Sequence, residues 1–250
     1  MNSPSSALRA PSPRSRGAKG LDAEAALTPR PLAPRLLLLL LLLTLPAHAK
    51  PLPIVEIPAT GGTSDTLVVF VSGDGGWAKI DKSISTALAK HGMPVVGLNA
   101  LQYFWTKRTP EGAAHDLQTL IETHLTLWKK TRIVIAGYSR GADVLPAMIN
   151  RLPPELQSRI RLVALLGPSP RVEFEFHVSD WLRDTSRGYA VKPELEKLRP
   201  HVVCIWGEDD KDSLCKGLTL PHVRVITMRG AHHFDGGYDK LASLILDELP

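Results

Sequence analysis

The sequence predicts an α/β domain built on a mainly parallel sheet, and three observations carry that prediction. From Thr66 onward, apolar runs of strand length alternate with amphipathic helical stretches. Several of those runs are rich in Val and Ile and lack polar alternation, as strands do when helices cover both faces. No second core can be assembled from what remains, so a single domain with no large cap is expected.

The elements follow in order. Residues 50–65 read as an irregular or edge-strand lead-in. Strands are expected at 66–71, 94–98, 132–136, 162–166, 202–206 and 223–227, each a short apolar run. Helices are expected at 80–90, 111–128, 140–151, 193–198 and 238–249. Pro146 falls inside the third helix, where it should bend the helix or remove one hydrogen bond. Ligands of open α/β sheets bind beyond the carboxyl ends of the strands. The loops that matter are therefore those after Val71, Leu98, Ala136, Leu166, Trp206 and Thr227.

Length and charge narrow the classes further. A chain of 250 residues with 44% hydrophobic residues can bury a full core. Its formal charge of +5 misleads, because residues 1–49 hold six of the 30 Lys/Arg and two of the 25 Asp/Glu, leaving 24 against 23. A near-neutral domain gives no support to nucleic-acid binding. The first 49 residues have the parts of a secretory signal: basic residues ending at Arg35, an apolar run beginning at Leu36, and Ala47-His48-Ala49. The run is short for a membrane span. Cleavage after Ala49 is expected, leaving a domain over 50–250; retention as an anchor is the alternative. Cys204 and Cys215 would pair in an oxidising compartment.

Gly137-Tyr138-Ser139-Arg140-Gly141 is a G-x-S-x-G sequence between an expected strand and an expected helix. In that setting it is a nucleophile elbow: a tight turn presents the Ser139 hydroxyl, and small residues on either side prevent clashes as the chain reverses. The helix that follows points its N-terminal amides at the site, with the Arg140 backbone N–H as one oxyanion donor.

A serine hydroxyl needs a base, and the base needs an orienting acid. In the α/β-hydrolase fold these follow in the order serine, acid, histidine. Here Gly207-Glu208-Asp209-Asp210 follows one strand and Gly230-Ala231-His232-His233-Phe234 the next. Asp210 is the first choice of acid, Asp209 the second and Glu208 the third. His232 is preferred to His233 as the base. The paired histidines lack a second cluster with ligand spacing, so neither a metal nor another cofactor is expected. A disulfide from Cys204 to Cys215 would staple the loop that bears Asp210.

Ser72-Gly73-Asp74-Gly75-Gly76-Trp77 lies where this fold places its other oxyanion amide, expected from Asp74 or Gly75. A dinucleotide site is not expected, since G-x-G-x-x-G is absent.

Together with Tyr103-Phe104-Trp105, the elbow continued to Pro146, Glu173-Phe174-Glu175-Phe176-His177-Val178, Trp206-Gly207-Glu208-Asp209-Asp210 and His232-His233-Phe234, these residues resemble a known family. It comprises the bacterial virulence protein VirJ and the C-terminal domain of its relative AcvB. The likeness covers about residues 52–249 and is of the short, VirJ-like form. The resemblance implies a periplasmic protein. It also implies hydrolysis of lysyl-phosphatidylglycerol, as in the AcvB relatives, and a link to type IV secretion and DNA transfer to plants. A lysyl group needs a negative partner, and Asp74 and Asp143 are the candidates, the alternative being that each only hydrogen-bonds its own turn. Tyr103 and Trp105 could line the pocket or touch lipid at the membrane surface, and core packing against the neighbouring helix is the alternative. The competing expectations are an esterase or thioesterase on another substrate, and a non-catalytic partner of secretion-system proteins.

Overall fold

The computed structural model describes residues 51–175 and 188–249. The expected leader and its cleavage site lie outside these residues, as do Phe176, His177 and Val178 of the quoted motifs. Seven strands form one sheet: β1 (Ile54–Ile57), β2 (Thr66–Val71), β3 (Val95–Leu98), β4 (Arg132–Tyr138), β5 (Ile160–Leu166), and two later strands at Val202–Gly207 and Val223–Met228. Between β5 and the later pair, Arg171–Val172 (β6) and Tyr189–Ala190 (β7) make a small separate antiparallel pair. The two later strands are thus β8 and β9. The sheet order is β1-β3-β2-β4-β5-β8-β9. Only β1 runs antiparallel to its neighbour, with Ile54 opposite Leu98; the remaining pairings are parallel.

Side-chain alternation sorts each central strand between two cores. Along β2, Leu67, Val69 and Val71 face one side, packed with Leu117 and Ile121 of α3 (Pro110–Leu127) and Val144 and Leu145 of α4 (Arg140–Ile149). Val68 and Phe70 face the other, packed with Ile80, Ile84 and Leu88 of α1 (Lys79–Lys90) and with Leu241 and Ile245 of α7 (Tyr238–Asp247). Both faces of the central strands are dry, which is why their sequences show no polar alternation.

Local chemistry sets the helix ends. Asp81 Oδ2 accepts the Ala78 N–H at 2.8 Å at the start of α1, and Thr109 Oγ1 accepts the Gly112 N–H at 3.0 Å at the start of α3, with Pro110 in its first turn. Helix α4 runs through Pro146, whose missing N–H leaves the Ala142 carbonyl without its usual donor.

Three short features were not foreseen. They are α2 (Ala100–Tyr103), capped by Asn99 Oδ1 accepting the Gln102 N–H at 3.2 Å, α5 (Pro154–Gln157), and the β6–β7 pair. Helix α6 (Lys192–Leu195) is shorter than expected. Strand β4 is two residues longer, so the sheet continues up to Ser139 itself. Among the described residues no helix is long and apolar enough to cross a membrane.

Candidate active site

Ser139 stands at the junction of β4 and α4 with φ 52° and ψ −122°, a left-handed conformation rare for a side chain with a Cβ. Its N–H donates to the Leu166 carbonyl at 2.9 Å and its carbonyl accepts the Asp143 N–H at 3.0 Å, which holds the turn from both sides. The flanking glycines are required by proximity. A Cβ at Gly141 would lie 2.0 Å from the Val71 carbonyl oxygen, and one at Gly137 would lie 2.6 Å from the Gly141 carbonyl carbon. Helix α4 therefore presses against both β2 and β4, aiming its N-terminus at the serine.

His232 reaches the serine from the loop after β9. Its Nε2 is 2.9 Å from Ser139 Oγ and its Nδ1 is 2.8 Å from Asp210 Oδ2. A carboxylate can only accept, so Nδ1 carries the imidazole proton and Nε2 offers its lone pair to the serine hydroxyl. The side chain of His232 is 34% exposed and that of Asp210 13%. Asp209 and Glu208 are exposed, and their backbone N–H groups donate to the Gly230 and Met228 carbonyls, tying the acid loop to the histidine loop. Gly167, at the end of β5, makes room for the imidazole: a Cβ there would lie 3.2 Å from both Cε1 and Nδ1 of His232. The Cys204–Cys215 disulfide is formed, with Cα atoms 5.7 Å apart, and closes the loop bearing Asp210.

The second histidine has a different setting. His233 Nδ1 lies 2.7 Å from the Tyr138 hydroxyl, which also donates to the His232 carbonyl at 3.3 Å. With one proton on the phenol, both bonds are made when His233 Nδ1–H donates to the tyrosine oxygen. Burial above all, and then the Tyr238, Asp81 and Asp210 side chains, raises the Tyr138 pKa and keeps the phenol neutral.

The glycine-rich loop after β2 lies directly against the elbow. A Cβ at Gly73 would be 3.2 Å from Ser139 Cβ, and the loop closes through a Gly76 N–H bond to the Gly73 carbonyl at 3.1 Å. Asp74 does not stand open to a cationic ligand. Its carboxylate is bridged by the guanidinium of Arg140, with Nε on Oδ1 and Nη2 3.5 Å from Oδ2. Asp143 is also engaged: it is buried, and Oδ1 accepts the Ser169 N–H at 2.6 Å. Burial drives its carboxyl well above the ordinary range, which favours the neutral form and disfavours a role as counter-ion to an amine. Tyr103 is only 1% exposed, and its hydroxyl donates to Asp116 Oδ2 at 2.5 Å, so it belongs to the core under α2 rather than to a pocket wall. Trp105 is 62% exposed.

The side chains of Arg140 and Tyr138 and the space at Gly167 were not foreseen. Arg140 and Tyr138 fill the two variable positions of the elbow, and the sequence gives no sign of where their side chains go.

Comparison with known proteins agrees with this architecture. A structure of MenH from S. aureus superposes with a TM-score of 0.57 at 13% identity, over 78% of this chain and 97% of that one. An alpha-beta serine hydrolase homologue from Coxiella burnetii gives 0.58 at 16% identity, over 79% and 91%. A serine hydrolase without a lid from Xanthomonas campestris gives 0.53 at 16% identity, over 79% and 89%. These likenesses establish an α/β-hydrolase fold without a large cap. Carboxylesterase Culp1 of Mycobacterium tuberculosis and Mycobacterium bovis is 28% identical over 133 residues, which is 48% of this chain. The match spans 61% of the length of those relatives. The family described as "Bacterial virulence protein (VirJ)" matches residues 65–250, nearly all of the folded domain, and the chain belongs to that family.

Proposed function

We propose that this protein is an exported serine esterase, with Ser139 as nucleophile, His232 as general base and Asp210 as the acid that orients it. The observation that carries the reading is the placement of His232 between its two partners, at 2.9 Å from Ser139 Oγ and 2.8 Å from Asp210 Oδ2. In the reaction, Ser139 Oγ attacks the ester carbonyl carbon as its proton passes to His232 Nε2, and Asp210 stabilises the imidazolium. The carbonyl oxygen becomes an oxyanion, for which the backbone N–H of Arg140 and that of Asp74 or Gly75 are the donors. Collapse breaks the bond to the leaving alcohol, which takes the proton from Nε2 and departs, leaving an acyl-Ser139. Water then repeats the sequence, releasing the acid and restoring the serine.

For the substrate we propose an aminoacylated phospholipid such as lysyl-phosphatidylglycerol, met in the periplasm. The resemblance to the AcvB relatives supports this choice, and an aminoacyl ester suits the chemistry. Purified protein should release free lysine from lysyl-phosphatidylglycerol, and its Ser139→Ala variant should release none. Fluorophosphonate labelling that persists in Ser139→Ala would refute the assignment of the nucleophile. The similarity to carboxylesterase Culp1 favours a second reading, an esterase acting on a different ester. Lysyl-phosphatidylglycerol levels that stay constant on both deletion and overexpression would select it.

A further inference from the structure

Arg140 is a buried cation inserted between three parts of the site. It follows the nucleophile directly, its residue exposure is 7%, and its guanidinium reaches the Asp74 carboxylate of the glycine-rich loop. Nη1 donates in addition to the carbonyls of Glu173, at 2.6 Å, and Glu175, at 3.0 Å. The segment so held is tied down a second time where the Arg108 N–H donates to the Phe174 carbonyl at 2.8 Å. The base of the glycine-rich loop is packed, with Gly73 against Tyr138 and Ser139 and Gly76 against Asn99, and its tip is Asp74 and Gly75. Among the described residues nothing lies within 4 Å of the Cβ position of Gly75, and the loop closes through the bridge between Gly73 and Gly76. A glycine at an open tip has many conformations to lose, and the partly buried charge-assisted contact at the adjoining Asp74 restricts them.

We propose that Arg140 is a positioning residue for the oxyanion loop. Through Asp74 its side chain sets where the loop amides lie relative to Ser139, while its own backbone N–H serves as the other donor. The proposal rests on the serine-esterase reading above. It assigns Asp74 to loop placement rather than to recognition of a substrate amine. Charge on the tetrahedral intermediate is stabilised only when donors are already aimed at the place where it develops, so a loosened loop should slow the chemical step while leaving ester binding nearly intact.

The test uses purified domain and a short-chain nitrophenyl ester, with active sites counted by fluorophosphonate titration. Wild type, Ser139→Ala, Arg140→Met, Arg140→Lys, Asp74→Asn and the Arg140→Met/Asp74→Asn pair are compared. The expected result is that Arg140→Met and Asp74→Asn each lower kcat per titrated site by about 10- to 100-fold with KM changed by less than about threefold. The pair should be no worse than about twofold below the poorer single variant, because both remove one shared contact. Arg140→Lys should recover part of the loss. Unchanged kcat in Asp74→Asn, or losses that multiply in the pair, would overturn the proposal. If Arg140→Met does not fold, Asp74→Asn decides the matter alone, since it keeps the side chain's size and removes its charge. Wild-type activity equal to that of Ser139→Ala would instead overturn the esterase reading, and this proposal with it.

Discussion

The Tyr138 hydroxyl lies 2.7 Å from His233 Nδ1, so the residue before Ser139 grips the residue after His232. The elbow and the histidine loop are 93 residues apart in sequence, and this contact joins them independently of the bond between Ser139 and His232. The Tyr138 and His232 rings also lie 5.4 Å apart, centroid to centroid.

Tyr138→Phe removes this grip while keeping the ring. It should lower thermal stability by about 1 to 2 kcal/mol, the usual value of the two partly buried hydrogen bonds that the hydroxyl makes. It should also reduce kcat roughly 3- to 10-fold by letting the imidazole wander. Thermal denaturation and ester kinetics on titrated enzyme check the two effects separately.

Substitution of neighbouring residues separates the proposed triad from its surroundings. His232→Ala and Asp210→Asn should each reduce kcat by about 10³- to 10⁴-fold. His233→Ala should cost no more than about 10-fold, and Asp209→Asn less than about twofold, since both are exposed and neither touches Ser139. Loss of activity in Asp209→Asn that matched Asp210→Asn would contradict the assignment of the acid.

The disulfide closes a short loop, with a sequence separation of 11. Replacing Cys204 and Cys215 by serine should destabilise the domain by about 3 kcal/mol, the chain-entropy cost for a loop of that size. Because Asp210 lies within the loop, kcat should fall as well. The wild-type protein treated with reductant should show the same two changes, and activity that survives full reduction would assign the bond to stability alone.

Asp81 predicts a pH effect on stability. It is fully buried on α1, its Oδ1 has no hydrogen-bond partner among the described residues, and burial pushes its carboxyl up from 3.8 to about 6. Between these values the folded state holds a proton that the unfolded state has released, so this group makes stability fall as pH rises from about 4 to about 6. Asp81→Asn keeps an acceptor for the Ala78 N–H and abolishes the ionisation. It should therefore raise stability by up to about 3 kcal/mol at pH 7 and by little at pH 4. Melting temperatures of both proteins at the two pH values provide the check.

The parallel strands were legible because their environment is uniform. Both faces of β2 are dry, so Leu67 to Val71 reads as one apolar run with sharp ends. The order of serine, acid and histidine was legible because the fold delivers each from the end of a strand. The choice within Asp209/Asp210 and within His232/His233 stayed open, since adjacent loop residues differ only in the turn that aims them. For Tyr103 the sequence left pocket and core open, and it lies in the core because α2 turns its side chain toward Asp116 on α3. The pairing of Arg171–Val172 with Tyr189–Ala190 left no trace in pattern, being two residues on each side and far apart in the chain. The destination of Arg140 was hidden for the opposite reason: its neighbours in sequence are well defined, while its partners come from two remote loops.

The four consecutive sheet positions β4, β5, β8 and β9 deliver, in turn, the serine, the glycine that shelters the imidazole, the carboxylate and the histidine. β9 is an outermost strand and also the last to be synthesised. A chain truncated before Val223 would carry Ser139 and Asp210 without His232, the proposed base. In the proposed mechanism, the joining of β9 to the edge of the sheet is the step that completes the triad.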